Sequence, residues 1–273
     1  MTSSTRRLAV VAAAALALSL GATACGSDGG KATASTSSAA SASATTPKLS
    51  GEVNVFAAAS LTGSFTELGK KFEAAYPGVK VKFNFGGSSA LAQSINSGAP
   101  ADVFAAASPA TMKTVSDAGG VEGTAKNFVS NTLIIAVPKG NPKNVTSLKD
   151  LTAPGAKVAL CAKEVPCGAA ALTALKAAGV DLTPVTLEQD VKGALTKVEL
   201  GEVDASLVYR TDVKADAAKI DGVEFPEAAK AVNEYPIAAL AKAPNKDGAA
   251  AFVAYIQSAD AQQVLTAAGF QAP

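Results

Sequence analysis

The sequence predicts an α/β protein with mainly parallel strand pairing, because strand-like and helix-like segments alternate along most of the chain. Short segments with apolar residues at every second position are followed by segments with apolar residues three or four positions apart. Glycine, proline and helix-capping residues separate these segments, and no repeat with the period of a solenoid is present. No single linker divides the body, so two lobes would be joined by more than one crossing of the chain.

The composition excludes several classes of function. The chain has 273 residues, with 24 basic and 23 acidic side chains and no histidine. The balanced charge offers no basic surface for nucleic acid. Without histidine there is no Ser-His-Asp triad and no histidine-ligated zinc or haem, and three cysteines are too few for an all-thiolate zinc site. Catalysis would have to use carboxylates, lysines or hydroxyls, whereas binding needs only backbone amides and hydroxyls.

The N-terminal segment predicts export and a tether. Residues 1–24 contain two arginines, an apolar run over 8–20 that is short for a membrane span, and a small-residue stretch. Cys25 follows directly and resembles the cysteine of a bacterial lipobox, which receives lipid and becomes the new N-terminus. Residues 25–50 are mostly Gly, Ser, Thr and Ala and predict a flexible tether to a body over 51–273. The alternatives are a true membrane helix and ordinary cleavage without lipid.

The first half of the body begins with regular alternation. Ser108 before Pro109 is a strong helix start, because serine accepts a first-turn N–H and proline suits the first helical position. The run NTLIIAV at 131–137 is the most apolar segment of the body and predicts one strand. The other predicted elements are strands over 52–58, 79–85 and 101–106, and helices over 61–76 and 90–96.

The second half continues the pattern to the C-terminus. Asp190 and Ser258 are candidate helix caps, and Gly179 and Gly201 follow predicted helices as stop signals. The predicted elements are strands over 157–161, 185–187, 203–209, 221–225 and 236–241, and helices over 168–178, 191–200, 246–257 and 259–268.

Five junctions between strands and helices are candidate anion sites. Four of them open helices, whose free N–H groups and positive dipole ends hold anions without a charged side chain. Plain helix capping would place the same residue types there. The glycine-rich turn at 86–89 lacks a following G-K-[ST], so a nucleotide site has no support. The junctions are 58–60, 87–89, 166–168, 189–191 and the strand end at 208–209.

The remaining reactive side chains favour structural roles. Cys161 and Cys167 lie close together in an exported chain and predict a disulfide; a redox or metal pair is the alternative, although the CxxC spacing is missing. Five carboxylates could act as acid or base, but no spacing pairs two of them, which favours solvated or capping roles. A secreted hydrolase would need a Ser-Lys or carboxylate pair. These carboxylates are Asp102, Asp150, Asp190, Glu199 and Asp204.

Several motifs together resemble one family. VFAAASLT at 55–62, FGGSSALA at 85–92 and SGAPADVF at 97–104 are similar, in this order, to segments of periplasmic molybdate-binding proteins, the substrate-binding subunits of molybdate ABC importers. The resemblance runs from about residue 52 to the C-terminus. Its later parts are the strand at 131–138, EVPCG at 164–168, DVKGAL at 190–195, the segment 201–209 and EYP at 234–236.

The resemblance implies a two-lobed periplasmic-binding-protein fold of type II with the ligand in the cleft between the lobes. Lobe 1 would comprise 51–131 and 238–273, and lobe 2 would comprise 132–237. The protein would be an extracytoplasmic monomer, lipid-anchored to the outer face of the cell membrane. It would close by hinge motion and deliver its anion to a membrane permease driven by an ATPase.

The resemblance also implies five oxyanion contacts and neither a cofactor, a catalytic residue nor a protein ligand to molybdenum. Ser60 and Ser88 would donate hydroxyl and backbone N–H, Cys167 and Val191 would donate backbone N–H, and Tyr209 would donate its phenol. The family more often has alanine where this chain has Cys167.

The expected donor set decides the anion class. Molybdate is fully ionised at neutral pH and suits a site made of donors, whereas phosphate keeps a proton that needs an acceptor. Tungstate is equally compatible, and sulfate in the same fold is the alternative. Since none of the five groups titrates near neutral pH, we expect anion affinity to vary little between about pH 6 and 8.

Overall fold

The computed structural model describes residues 48–273. The predicted export signal, Cys25 and most of the predicted tether lie outside the described residues. Residues 48–273 belong to one compact unit. Among residues 48–273, none of the helices has both the length and the apolar character that crossing a membrane requires.

Strands and α-helices alternate along the described part of the chain, as predicted. The strands are β1 (Gly51–Ala58), β2 (Val79–Gly86), β3 (Val103–Ala105), β4 (Lys126–Asn131), β5 (Leu133–Pro138), β6 (Val158–Cys161), β7 (Thr186–Glu188), β8 (Ala205–Tyr209), β9 (Ile220–Val223) and β10 (Asn233–Ala239). The helices are α1 (Thr62–Ala75), α2 (Ser88–Asn96), α3 (Pro109–Ser116), α4 (Pro166–Ala178), α5 (Val191–Glu199), α6 (Arg210–Ala215), α7 (Lys246–Ile256) and α8 (Ala259–Ala268). Short 3-10 helices cover Ala59–Leu61, Leu148–Thr152 and Pro226–Lys230.

The strands form two mixed sheets of five strands each. The first sheet has the order β2-β1-β3-β10-β4, and the second has the order β7-β6-β8-β5-β9. The expectation of mainly parallel pairing is wrong, because β10 runs antiparallel to β3 and β4 and β5 runs antiparallel to β8 and β9. Parallel pairing is confined to β1 with β2 and β3, and to β6 with β7 and β8. The antiparallel strands are those that carry the chain between the sheets.

The strand predicted over 131–137 is confirmed as β5 from Leu133 onward, but its first residue, Asn131, ends β4, which lies in the other sheet. The chain passes between them at Thr132. There the Asn131 side chain accepts the backbone N–H of Thr132 at 3.0 Å and donates to Thr211 Oγ1 at 2.9 Å. These bonds supply partners for polar groups at the crossing, where the chain is paired in neither sheet. The predicted return boundary at 237/238 falls inside β10, which belongs to the first sheet.

Each sheet has its own apolar core. In the first, the rings of Phe72 and Phe252 meet edge to face with centroids 5.2 Å apart, and both side chains are fully buried. In the second, the β5 residues Leu133 and Ile135 are fully buried. Because each sheet has a separate core, the strand–helix junctions are not needed for either core. Junctions of the first sheet can therefore lie against junctions of the second.

The helix starts agree with the local signals. The predicted caps at Ser108, Asp190 and Ser258 are confirmed, since each side chain accepts a first-turn N–H. β4 and α6 carry no clear sequence signal, because their short segments lack both a clear period and a capping residue of the usual types.

Candidate functional site

A small cavity lies where strand ends of the first sheet meet strand ends of the second. Its water-accessible core has a volume of about 10 Å³. The segments around it follow β1, β2, β6, β7 and β8, so they come from the carboxyl ends of strands, where ligands of α/β proteins collect. The lining residues are Ala58, Ala59, Ser60, Gly86, Gly87, Ser88, Ala107, Val165, Pro166, Cys167, Asp190, Val191 and Tyr209.

All five candidate anion contacts lie in this lining. They come from separate parts of the chain, and each is buried: Ser60, Ser88, Cys167, Val191 and Tyr209. The fold thus brings together the five residues that the motifs single out.

Three α-helices begin at the cavity and supply backbone donors. α2 begins at Ser88 and α4 at Pro166, and neither has a side-chain cap. α5 begins at Val191, where Asp190 Oδ1 accepts the N–H of Gly193 at 2.9 Å. First-turn N–H groups have no acceptor within their own helix, so those of Ser88, Cys167 and Val191 can bind a ligand. The positive dipole ends of the three helices make the cavity suitable for an anion.

Three hydroxyl groups belong to the site. Ser88 Oγ accepts the backbone N–H of Ala107 at 3.0 Å, and Ser60 Oγ lies 2.9 Å from Tyr235 Oη. The hydroxyl of Tyr209 is buried without a hydrogen-bond partner among the described residues. Burial raises the pKa of Tyr209 well above its usual value, and the charge of Asp212 adds to this. The Tyr209 phenol therefore keeps its proton at neutral pH and can donate it.

The cations next to the site are already paired. Lys192 Nζ lies 3.3 Å from Asp212 Oδ1 and 3.4 Å from Asp216 Oδ2, and Arg210 pairs with Glu224. Burial lowers the pKa of Lys192, but the two carboxylates outweigh it and leave the pKa raised. Within the described lining, Asp190 is the one charged residue. An anion there would be held by dipoles and uncharged donors.

Asp212 is a site neighbour that the sequence analysis did not identify. Its side chain is 1% exposed, and Oδ2 accepts the backbone N–H of Tyr209 at 3.2 Å. Burial raises the pKa of Asp212 to about 6, although the charge of Lys192 opposes this. A carboxylate in the first turn of a helix is ordinary in sequence. Its burial depends on packing, so no sequence signal could have shown it.

Residues around the cavity also make contacts across it. Ser89 Oγ donates to the backbone carbonyl of Glu164, which precedes α4. Cys161 and Cys167 form a disulfide with Cα atoms 5.8 Å apart, which ties the end of β6 to the start of α4. The start of α4 is therefore held both by a covalent link and by a contact from α2.

The other candidate carboxylates make structural contacts. Asp102 accepts the backbone N–H groups of Asn54 at 2.7 Å and Asn245 at 2.6 Å, which joins β1 to the segment before α7. Asp150 and Asp204 also accept backbone N–H groups, and Glu199 lies 3.8 Å from Lys219 Nζ. Among residues 48–273, no group of three or more acidic or cysteine side chains is arranged to hold a metal ion.

The comparisons with known proteins agree with this architecture. The profile of bacterial extracellular solute-binding proteins matches residues 53–271. The molybdate-binding protein ModA of Mycobacterium tuberculosis strain H37Rv is 45% identical over 219 residues, which cover 80% of this chain and 84% of that protein.

Two solved structures show the same fold. The periplasmic molybdate-binding protein of Azotobacter vinelandii matches with a TM-score of 0.71 at 20% identity, over 81% of this chain and 99% of that chain. The sulfate-binding protein SubI of Mycobacterium tuberculosis H37Rv matches with a TM-score of 0.70 at 20% identity, over 81% of this chain and 86% of that chain. They confirm the predicted two-lobed periplasmic-binding-protein fold, but at this identity they show nothing about the ligand. The chain belongs to the family of bacterial extracellular solute-binding proteins, and its predicted resemblance to the molybdate-binding members of that family is confirmed.

Proposed function

We propose that the protein is the extracytoplasmic substrate-binding component of an ABC importer and that it binds molybdate between its two lobes. The observation that carries this is the convergence of five donors from separate segments on one small cavity. Ser60, Ser88, Cys167, Val191 and Tyr209 are the proposed contacts. The name of the 45% identical mycobacterial relative supports molybdate as the ligand.

The chemistry of the donors favours a fully ionised oxyanion. The three hydroxyls and the first-turn amides can each donate a hydrogen bond, whereas Asp190 Oδ1 is already used by the cap of α5. Phosphate at neutral pH carries a proton that needs an acceptor, and the one carboxylate in the described lining, Asp190, stands at the cap of α5. Molybdate, tungstate and sulfate carry no proton at this pH and fit the donor set.

Size would separate the three remaining anions. Sulfate is the main alternative, since the fold is shared equally with a sulfate-binding protein. The cavity is narrow and its walls come from both sheets, so the distance between them would select by ionic radius. We include tungstate because its size and charge are close to those of molybdate.

The proposed lobes are 51–131 with 238–273, and 132–237. They would close around the anion by hinge motion and present a common surface to a membrane permease with its ATPase. We propose that the protein acts as a monomer, without catalytic residues or cofactor. A hydrolase is disfavoured because the candidate carboxylates make structural contacts.

Calorimetric titration with molybdate, tungstate, sulfate and phosphate tests the ligand. We expect tight binding of molybdate and of tungstate, weak binding of sulfate and no binding of phosphate. Tight sulfate binding without molybdate binding would contradict the assignment. Turnover of generic ester or glycoside substrates would support the hydrolase instead.

We further propose that Cys25 carries a lipid anchor that holds the body at the outer face of the cell membrane. Labelling of cells with an alkyne fatty acid should modify the protein. Cys25→Ser should abolish the label and release the protein from the membrane fraction. Retention of Cys25→Ser with the membrane would contradict the anchor without affecting the ligand assignment.

A further inference from the structure

The structure contains a fully buried hydroxyl pair next to the cavity. Tyr235 Oη lies 2.9 Å from Ser60 Oγ, and the Tyr235 side chain is 0% exposed. Tyr235 does not line the cavity itself. The pair links β10, which returns the chain to the first sheet, with the short helix that follows β1.

The ring of Tyr235 is held on several sides by other aromatic rings. Phe270, Tyr209 and Phe128 meet it edge to face, with centroids 5.5, 6.0 and 6.5 Å away. Such contacts favour one ring orientation. The position of the phenol oxygen beside Ser60 is therefore set by packing, and its hydrogen bond does not have to hold the ring.

The geometry of a hydroxyl pair allows either oxygen to be the donor, but burial distinguishes the two cases. If Ser60 donated to Tyr235, the Tyr235 proton would have to turn to Tyr209 or Asn131, the other polar side chains beside it, neither of which forms a hydrogen bond with Tyr235 at normal distance. A buried proton without an acceptor costs about 1–3 kcal/mol. If Tyr235 donates, its proton is used and the Ser60 proton is free for a ligand. Burial raises the pKa of Tyr235 well above its usual value, so the phenol keeps its proton at neutral pH.

Ser88, which follows the neighbouring strand β2 of the first sheet, shows the same arrangement. Its Oγ accepts the backbone N–H of Ala107 at 3.0 Å, a group that can only donate. The Ser88 hydroxyl must therefore donate its own proton to another acceptor, and because Ser88 lines the cavity, a ligand there can accept it. Each serine thus has a donor behind it that directs its proton toward the ligand.

We propose that Tyr235 is a positioning residue for anion binding: its phenol donates to Ser60 Oγ and so commits the Ser60 proton to the bound oxyanion. This inference rests on the proposed function, because it assigns Ser60 a direct contact with the anion. Tyr235 acts through Ser60, whose hydroxyl becomes oriented and a stronger donor when it accepts a hydrogen bond. A serine without such a partner could point its proton away from the cavity.

A double-mutant cycle tests this. Tyr235→Phe removes one oxygen and keeps the ring, so we expect molybdate affinity to fall about 3- to 10-fold, in the range of one net hydrogen bond. In the Ser60→Ala background, the same substitution should change affinity by less than about 2-fold. A purely structural role of Tyr235 would reduce affinity equally in both backgrounds and would overturn the proposal. So would unchanged affinity in Tyr235→Phe.

Tyr255→Phe is the matched control. Tyr255 lies on α7, where its ring centroid is 5.3 Å from the ring centroid of Phe72, and it does not line the cavity. The Tyr255→Phe substitution should leave molybdate affinity unchanged in both the wild-type and the Ser60→Ala background. Wild-type protein that binds none of molybdate, tungstate and sulfate would refute the proposed function, whereas tight wild-type binding without coupling between Tyr235 and Ser60 would refute only this inference.

A second measurement covers the case in which Tyr235→Phe does not fold. Neutron diffraction from deuterated wild-type crystals grown with molybdate locates the deuteron between the two oxygens. A deuteron on Tyr235 Oη that points at Ser60 Oγ supports the proposal. A deuteron on Ser60 Oγ that points at Tyr235 overturns it.

Discussion

Gly87 and Gln189 approach each other so closely that a Cβ atom on Gly87 would lie 2.2 Å from the Gln189 carbonyl oxygen. Gly87 precedes α2 and Gln189 precedes Asp190, so the contact spans the cavity from the first sheet to the second. The backbone of Gly87 has φ −61°, which any residue can adopt. Glycine is required here by the distance between the two segments and not by backbone conformation.

Gly87→Ala should weaken molybdate binding. The added methyl group forces the two segments apart, at a cost of about 1–3 kcal/mol that applies only when the lobes are closed. Calorimetry should therefore show affinity reduced about 5- to 150-fold. The melting temperature without anion should change little. Gly63→Ala is the control, since a Cβ there meets no atom within 4 Å. Equal affinities for Gly87→Ala and wild type would mean that this contact does not form in the bound state.

Ser88→Ala should weaken molybdate binding by about 1–3 kcal/mol, because an anion oxygen loses a donor in a buried site. The substitution also leaves the Ala107 N–H without its acceptor, so some loss of stability is expected. Ser94→Ala is a matched control on the same helix, where the hydroxyl bonds the carbonyl of Ala90 and is exposed. An unchanged dissociation constant for Ser88→Ala, measured by calorimetry, would place Ser88 outside the site.

Much of the fold could be predicted because its signals are local. The caps at Ser108, Asp190 and Ser258 need only a side chain and the next turn of helix. The crossing at Thr132 is different, because Asn131 and Leu133 flank it directly in sequence and only tertiary pairing places them in different sheets. β4 was missed for a related reason: its residues Lys126–Asn131 are largely polar, and its pairing with β10 depends on a strand far away in sequence.

The candidate site could be predicted less completely. The motifs singled out the five proposed contacts, since each lies in a recognisable segment. Asp212 and Tyr235 could not be identified in this way, because their importance comes from burial and from partners on other elements. The close approach of Gly87 to Gln189 is likewise a property of the packed molecule.

Asp212 should make stability depend on pH. Its pKa is about 6 in the folded state, against 3.8 for an aspartate in the unfolded chain, mainly because burial disfavours the charge. The folded state therefore binds the proton more tightly than the unfolded state. Asp212 contributes its full share to the free energy of unfolding below about pH 4. This contribution falls by about 3 kcal/mol as the pH rises toward 6, and above that pH it is constant. Urea unfolding of wild type and Asp212→Asn at pH 4.5 and 7.5 measures the difference.

The sign of this effect can be checked with a surface carboxylate. A hydrogen bond from Lys139 lowers the pKa of Asp221, so its contribution to stability is present above its unfolded pKa and lost as pH falls. Asp221→Asn should therefore alter the pH profile in the opposite direction from Asp212→Asn. Profiles that change in the same direction would show that Asp212 is not a buried group with a raised pKa.

Asp212 also refines the expected pH dependence of anion binding. The proposed contacts have no group that titrates near neutral pH, so affinity should be constant between about pH 7 and 8. Below pH 7, protonation of Asp212 removes a negative charge near Tyr209, and molybdate affinity should rise slightly as pH falls toward 6. Titrations at pH 6, 7 and 8 measure this. The rise should disappear in Asp212→Asn, and a rise that persists there would come from another group.

The disulfide between Cys161 and Cys167 should stabilise both the body and the site. Closing so short a loop adds about 2 kcal/mol to the free energy of unfolding, because the disulfide restricts the unfolded chain. It also fixes the start of α4, whose Cys167 N–H is a proposed anion contact. Cys161→Ser with Cys167→Ala should therefore lower the free energy of unfolding by about that amount and also weaken molybdate binding. Urea unfolding and calorimetry separate the two effects. A loss of stability with unchanged affinity would mean that the helix start is positioned by its packing alone, because the substitution at Cys167 leaves its backbone N–H in place.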